Sequence, residues 1–255
     1  MPACRHSRSG SVAIYSDVDV LVRDAAEHVI ARARAANEAR GRFAIALSGG
    51  STPRPLYAWL ATPAIASRVD WRRWHVFWGD ERCVPPDDAE SNYRMAREAL
   101  LDRVPIPPDH VHRIAGEDEP NAAASTYERT LQAFFGGGAG PPERSFDLAL
   151  LGMGDDGHTA SLFPGTPPLA EQRRWVVGNR GPRGTWRVTL TPVVLNASDA
   201  IVFLVTGPSK AERLWEVFEG PPLSPPLPVQ QIRPRHGALT WMIDSDAAGR
   251  LRGAS

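Results

Sequence analysis

A chain of 255 residues with 42% hydrophobic and 23% charged side chains can bury a sizeable core, as one large α/β domain or two small ones. Its 29 basic and 29 acidic residues cancel to zero formal charge and form no Arg-rich run, which argues against the basic footprint of a nucleic-acid binder, and no apolar stretch approaches the ~20 residues of a membrane span. Cys4 and Cys83 are two isolated cysteines that offer no metal-site spacing and suit a reduced, cytoplasmic setting.

Residues 1–10 (MPACRHSRSG) carry positive charge with no apolar segment behind them, so they read as a flexible tail rather than a signal peptide, with a single domain expected over 11–255. Asp17 or Asp19 is placed to cap a helix running to about Ala39, because Leu21, Val22, Ala25, Val29, Ala33 and Ala36 recur on a 3.6-residue period and Gly41 follows. Phe43–Leu47 reads as a buried strand, SGGSTP (48–53) as the turn after it, and the next residues as a helix through Trp59. Trp74–Trp78 is a second strand ending in GDER, and helices are expected over Ser91–Arg103 and Asn121–Phe135. GGGAGPPERS is a surface loop before the strand Phe146–Leu151. Trp175–Val177, Trp186–Leu190, Ala200–Val205 and Gly237–Ile243 read as further strands, with helices from TGPSK to about Phe218 and over Asp246–Leu251. GPPLSPPLP (220–228) is a proline-rich connection. Buried strands alternating with helices predict an α/β fold: an open, doubly wound, mostly parallel sheet flanked by helices.

Four of these strands end in polar or glycine-rich turns: SGGST, GDER, GMGDDGH and TGPSK. Parallel strands place such turns along one carboxyl edge, where open α/β sheets bind ligands. In SGGST, Gly49 and Gly50 let the backbone approach a ligand, Ser48 and Ser51 add hydroxyls, and Pro53 suits the first turn of a helix; the combination fits an anion, though a capped strand–helix turn reads the same way. Arg82 can grip phosphate bidentately or pair with Asp80 or Glu81. Lys210 is the one lysine among 29 basic residues, so it stands out in a chain that otherwise uses arginine; it is either a point charge for phosphate or a solvated side chain. Asn92 either caps its helix or meets the ligand. The stretch FDLALLGMGDDGHTASLFPG (146–165) is the most informative: an apolar strand, then Gly152, Gly154 and Gly157 around Asp155 and Asp156, then His158, a residue that titrates near neutral pH and can take and return a proton.

SGGSTP, WGDER followed by SNYRMA, LLGMGDDGHTASLFPG, RVTLTP with VLN, and FLVTGPSKAE occur in this order, and together resemble the 6-phosphogluconolactonase family from about residue 14 to 251. The resemblance implies a fold similar to glucosamine-6-phosphate deaminase and hydrolysis of 6-phospho-D-glucono-1,5-lactone without metal or cofactor. It implies His158 as the catalytic base, with Asp156 and Gly157 completing the DGH signature. Ser48, Gly49, Gly50, Ser51, Arg82, Gly154 and Lys210 are implied on the substrate and its phosphate, and Asp80, Asn92, Arg183 and Arg187 are further candidates. NRGPRGTWRVTLT carries fewer prolines than the family pattern, which leaves open whether Arg183 or Arg187 faces the ligand. The expected partner is the small sugar-phosphate lactone, with no nucleic acid and no membrane, and the expected state is a monomer or small homo-oligomer. Two other readings are an amino-sugar-phosphate isomerase or deaminase, which usually has DEY and HIAFNEP where this chain has DER and HTASLFPG, and a non-catalytic sugar-phosphate sensor, which normally carries a helix-turn-helix ahead of the core.

Overall fold

The structure is a computed structural model that describes residues 3–7, 10–138, 140–182 and 184–252. In chain order its strands are β1 (Ala3–Ser7), β2 (Gly10–Tyr15), β3 (Phe43–Leu47), β4 (Trp74–Trp78), β5 (Asp80–Arg82), β6 (Leu148–Leu151), β7 (Val176–Arg180), β8 (Trp186–Leu190), β9 (Ala200–Val205) and β10 (Ala238–Asp244). The helices are α1 (Val18–Arg40), α2 (Arg54–Leu60), α3 (Pro63–Ala66), α4 (Asn92–Ala99), α5 (Pro120–Phe135), α6 (Pro192–Leu195) and α7 (Ala211–Phe218).

Seven strands form one sheet in the order β1-β2-β10-β9-β6-β3-β4, parallel throughout except for β1. The central strands FAIAL, LALL and AIVFLV are buried at every residue, as strands covered on both faces must be, and this is why they read as unbroken apolar runs. Helix α1 follows its sequence signals. The Asp17 carboxylate accepts from Val20 N at 2.9 Å, the predicted apolar stripe is buried, and Gly41 closes the helix at φ 72° with its N–H on Asn37 O.

The winding reverses at β3. From β3 the chain goes to β4 on one side and then crosses to β6 on the other, so no connection covers the carboxyl ends of β3 and β6. A second, antiparallel sheet, β5-β8-β7, stands beside this edge. Gly79 joins the two sheets: its N–H donates to Leu47 O of β3 at 2.9 Å, and its carbonyl accepts from Leu190 N of β8 at 2.8 Å.

Four expectations are corrected. Residues 3–7 of the expected tail pair with β2 as an edge strand, a backbone interaction that needs no apolar signature; residues 1, 2, 8 and 9 lie outside the described residues. GDER is not only a turn, because Asp80–Arg82 forms β5, a strand too short and too charged to show a period. Helix α4 stops at Ala99 and passes into a 3₁₀ turn at Leu101–Arg103. Residues 246–251 form turns rather than a helix: Gly249 N and Leu251 N donate three residues back, to Asp246 O at 3.3 Å and Ala248 O at 2.8 Å, while the Asp244 carboxylate accepts from Ala247 N at 2.8 Å and Gly207 N at 3.0 Å.

Glu81 fastens α4 to β5. Its buried carboxylate accepts from Arg82 N (2.7 Å), Asn92 N (2.7 Å), Tyr93 N (2.8 Å) and Ser91 Oγ (3.1 Å). Burial pushes its carboxyl above the usual range, and the three amides oppose that. Glu81→Ala leaves these donors without an acceptor, so it is expected to lower stability by about 2–3 kcal/mol, read as a lower urea midpoint at an unchanged slope.

Candidate active site

The turns after β3, β6 and β9, with β5 and the first residue of α4, converge on one cavity of about 400 Å³ at the β3/β6 reversal. Ser48, Gly49, Gly50, Ser51, Asp80, Arg82, Asn92, Gly154, His158 and Lys210 all line it. Topology alone brings these residues together, since they span more than half the chain.

On one side is the SGGST turn. Tyr57 holds the backbone of Ser48 from beneath, its hydroxyl donating to Ser48 O at 2.9 Å and accepting from Ser48 N at 3.1 Å. The Ser48 hydroxyl is buried with no hydrogen-bond partner among the described residues, a donor left for a ligand. Gly49 is required by contact, because a Cβ there would sit 1.7 Å from Asn92 Oδ1. Thr52 Oγ1 lies 3.2 Å from Thr206 Oγ1, which ties this turn to the end of β9.

Opposite stands His158. Its Nδ1 lies 2.6 Å from Asp156 Oδ1, and the same oxygen accepts His158 N at 3.0 Å. With Nδ1 held by a carboxylate, Nε2 is the ring nitrogen left for chemistry. Phe163 packs against the ring at 4.8 Å between centroids. Gly154 leaves room for the imidazole: a Cβ there would lie 2.1 Å from the ring. Gly157 supplies the positive φ of 79° that the turn needs, and its open face is covered by Leu227. Asp156 and Gly157 shape the turn from behind rather than line the cavity. The hydrogen bond from His158 is the main reason that the Asp156 carboxyl is lowered to about 2.

The cationic groups are arranged differently from their local sequence reading. Arg82 does not pair with Asp80 or Glu81; its Nη1 donates to Glu90 O at 2.7 Å, while those carboxylates turn inward. Lys210 is mostly buried and ion-paired, its Nζ 2.5 Å from Asp155 Oδ1. Arg187 is in register with Arg82 across β5 and β8, but lines a neighbouring cavity with Cys83 and Glu90. Burial, then the Arg82 charge, lowers its guanidinium below the usual value. Arg183 lies outside the described residues. Asp80 and Asn92 reach the cavity but are bonded to each other, Asn92 Nδ2 donating to Asp80 O at 2.9 Å. Sequence reasoning missed Thr159 and Thr206, which line the cavity, although both stand inside motifs already singled out. It also missed Ser161, whose partners lie on distant strands. Among the described residues no group of three or more His, Cys, Asp or Glu is placed to hold a metal ion.

An open α/β sheet whose switch point gathers a histidine–carboxylate pair and a Ser/Gly turn around one cavity is a class of site suited to a small anionic ligand. The sequence profile described as glucosamine-6-phosphate isomerases/6-phosphogluconolactonase matches residues 16–241, and the chain belongs to that family. It is 41% identical to a 6-phosphogluconolactonase from Nostoc sp. over 94% of this chain and 98% of that one. The solved 6-phosphogluconolactonase of Trypanosoma cruzi superimposes with a TM-score of 0.83 at 31% identity, covering 97% of this chain and all of that one. A monomeric glucosamine-6-phosphate deaminase shares the fold, with a TM-score of 0.79 at 19% identity over 94% and 99% of the two chains. Among the described residues no helix is long and apolar enough to cross a membrane.

The His158–Asp156 contact carries a pH signature. A carboxyl lowered in the folded state contributes stability that is present above its unfolded value of 3.8 and lost as pH falls toward about 2. Wild type is therefore expected to exceed Asp156→Asn in urea stability at neutral pH, and the difference is expected to shrink as pH falls below 3.8.

Proposed function

We propose that this chain hydrolyses 6-phospho-D-glucono-1,5-lactone to 6-phospho-D-gluconate, the second step of the oxidative pentose phosphate pathway, using water activated by His158. The observation that carries the reading is the imidazole fixed by Asp156 in a cavity that the Ser48–Ser51 turn also lines. The substrate is an ester with a remote phosphate, so it needs an anion anchor and a base in one cavity, and the lining of this cavity includes a candidate for each.

Neutral His158 takes a proton from water at Nε2 as the oxygen attacks C1. The tetrahedral oxyanion collapses, the C1–ring oxygen bond breaks, and His158 returns the proton to the departing ring oxygen. Asp156 keeps Nδ1–H donated and stabilises the imidazolium between the two transfers. Gly154 and Gly157 use their amides inside the turn, on His158 O and Gly154 O, so the amides of Gly152, Met153 and Asp155 are the turn's candidate oxyanion donors on the cavity. The phosphate sits on Ser48–Ser51 with Arg82, and draws Lys210 from Asp155. No covalent intermediate forms. The same proposal takes the enzyme as cytoplasmic, a monomer or small homo-oligomer, with no cofactor and no nucleic-acid or membrane partner.

The test is hydrolysis of lactone generated in situ, with spontaneous opening subtracted. Wild type is expected to accelerate it, and His158→Ala to lower kcat by about 10²–10⁴-fold while still binding 6-phosphogluconate. No acceleration by wild type overturns the function; hydrolysis that survives the mutation overturns the base.

A further inference from the structure

Ser161, three residues beyond His158, is held at every polar group it has. Its N–H donates to Thr189 Oγ1 of β8 at 3.1 Å, its hydroxyl to Asp80 Oδ2 of β5 at 2.6 Å, and its carbonyl accepts from Asn179 Nδ2 of β7 at 2.8 Å. Each strand of the small sheet thus supplies one bond, and all four residues are buried. Between Ser161 and His158 the chain turns tightly, Leu162 N donating to Thr159 O at 2.9 Å. Ala160 sits in this turn at φ 47°, the one non-glycine residue at positive φ among the described residues. Alanine seldom adopts that conformation, so surrounding contacts must impose it. The same network reaches the anion turn. Asp80 also accepts from Asn92 Nδ2, and Asn92 occupies the space that a Cβ on Gly49 would need.

We infer that Ser161, clamped by Asp80, Thr189 and Asn179, is a positioning residue that sets the place of His158 relative to the phosphate turn. The inference rests on the lactonase reading above. The small sheet thereby fixes a strained loop whose other end carries the base, while Asp80 and Asn92 carry the same reference to Gly49. A substrate anchored by its phosphate presents C1 at a fixed place, and a base that drifts by about an ångström loses on the order of 10²-fold in rate while the anchor keeps its affinity. Neither Ser161 nor Asn179 lines the cavity, so both act on it through the loop, and Asn179 stands one bond further off, on the Ser161 carbonyl, with Thr166 Oγ1 and Arg180 N as its other partners.

The experiment measures kcat and KM for the lactone, the Kd of 6-phosphogluconate and the melting temperature for wild type, Ser161→Ala, Asn179→Ala and the double variant. Each single variant is expected to lose about 10- to 100-fold in kcat with KM and Kd within about threefold of wild type, and the double variant to be little worse than the poorer single one. Where Ser161→Ala does not fold, Thr189→Val, which removes one clamp and keeps its shape, carries the same expectation. Unchanged kcat, a parallel collapse of kcat and product affinity in folded protein, or full additivity overturns the inference. An inactive wild type overturns the lactonase reading and this inference with it; an active wild type with an indifferent Ser161→Ala overturns this inference alone.

Discussion

Parallel strands all end on the same side, and where their winding reverses no crossover can close the gap between them. In this chain the reversal falls between β3 and β6, and everything at the site depends on it. The turn after β3 carries Ser48–Ser51, the turn after β6 carries His158, and the two line one cavity about 400 Å³ in volume. Neither turn is a site alone. In the proposed function the first supplies an anion cradle without chemistry, and the second a base without a fixed substrate. The sheet sets their separation, and the small antiparallel sheet joined to it at Gly79 braces the loop that leaves His158.

The fold's own contacts leave the electrostatics of the cavity unfinished. Buried carboxylates are satisfied internally: Glu81 by the first amides of α4, Asp80 by Ser161 and Asn92. Among the described residues that leaves the Arg82 guanidinium bonded only to a carbonyl, Lys210 held by a largely exposed Asp155, and the Ser48 hydroxyl without a partner. Cations and donors aimed at a cavity and weakly compensated favour an anionic ligand over water. Arg187 repeats the theme one strand away, where burial and Arg82 both work against its charge.

Much of this was legible in the sequence because it is written in local chemistry. Central strands buried on both faces announce themselves as FAIAL, LALL and AIVFLV; Asp17 and Gly41 mark both ends of α1; and the DGH turn carries its glycines, carboxylate and histidine within a few residues. What stayed hidden depends on partners far along the chain. β5 is three residues with two buried carboxylates, so no periodicity betrays it, and it becomes a strand only because β8 pairs with it. Asp80 and Asn92 were further candidates for the ligand; both line the cavity, and nothing local shows that they are also joined to each other. Arg82 read equally as a phosphate grip or as the partner of Asp80 or Glu81, and its guanidinium pairs with neither carboxylate. Ser161 sits in an ordinary TASLF, and its three clamps lie 81, 28 and 18 residues away.

The central claim is that phosphate anchor and base act on one molecule from opposite sides of the β3/β6 cavity. The most direct measurement is a crystal structure of the protein with 6-phosphogluconate bound. The phosphate is expected on the Ser48–Ser51 backbone with Arg82 and Lys210, Lys210 having left Asp155, and the C1 carboxylate within hydrogen-bond reach of His158 Nε2. A phosphate bound away from the Ser48–Ser51 turn, or a C1 carboxylate remote from His158 with the phosphate in place, would contradict it.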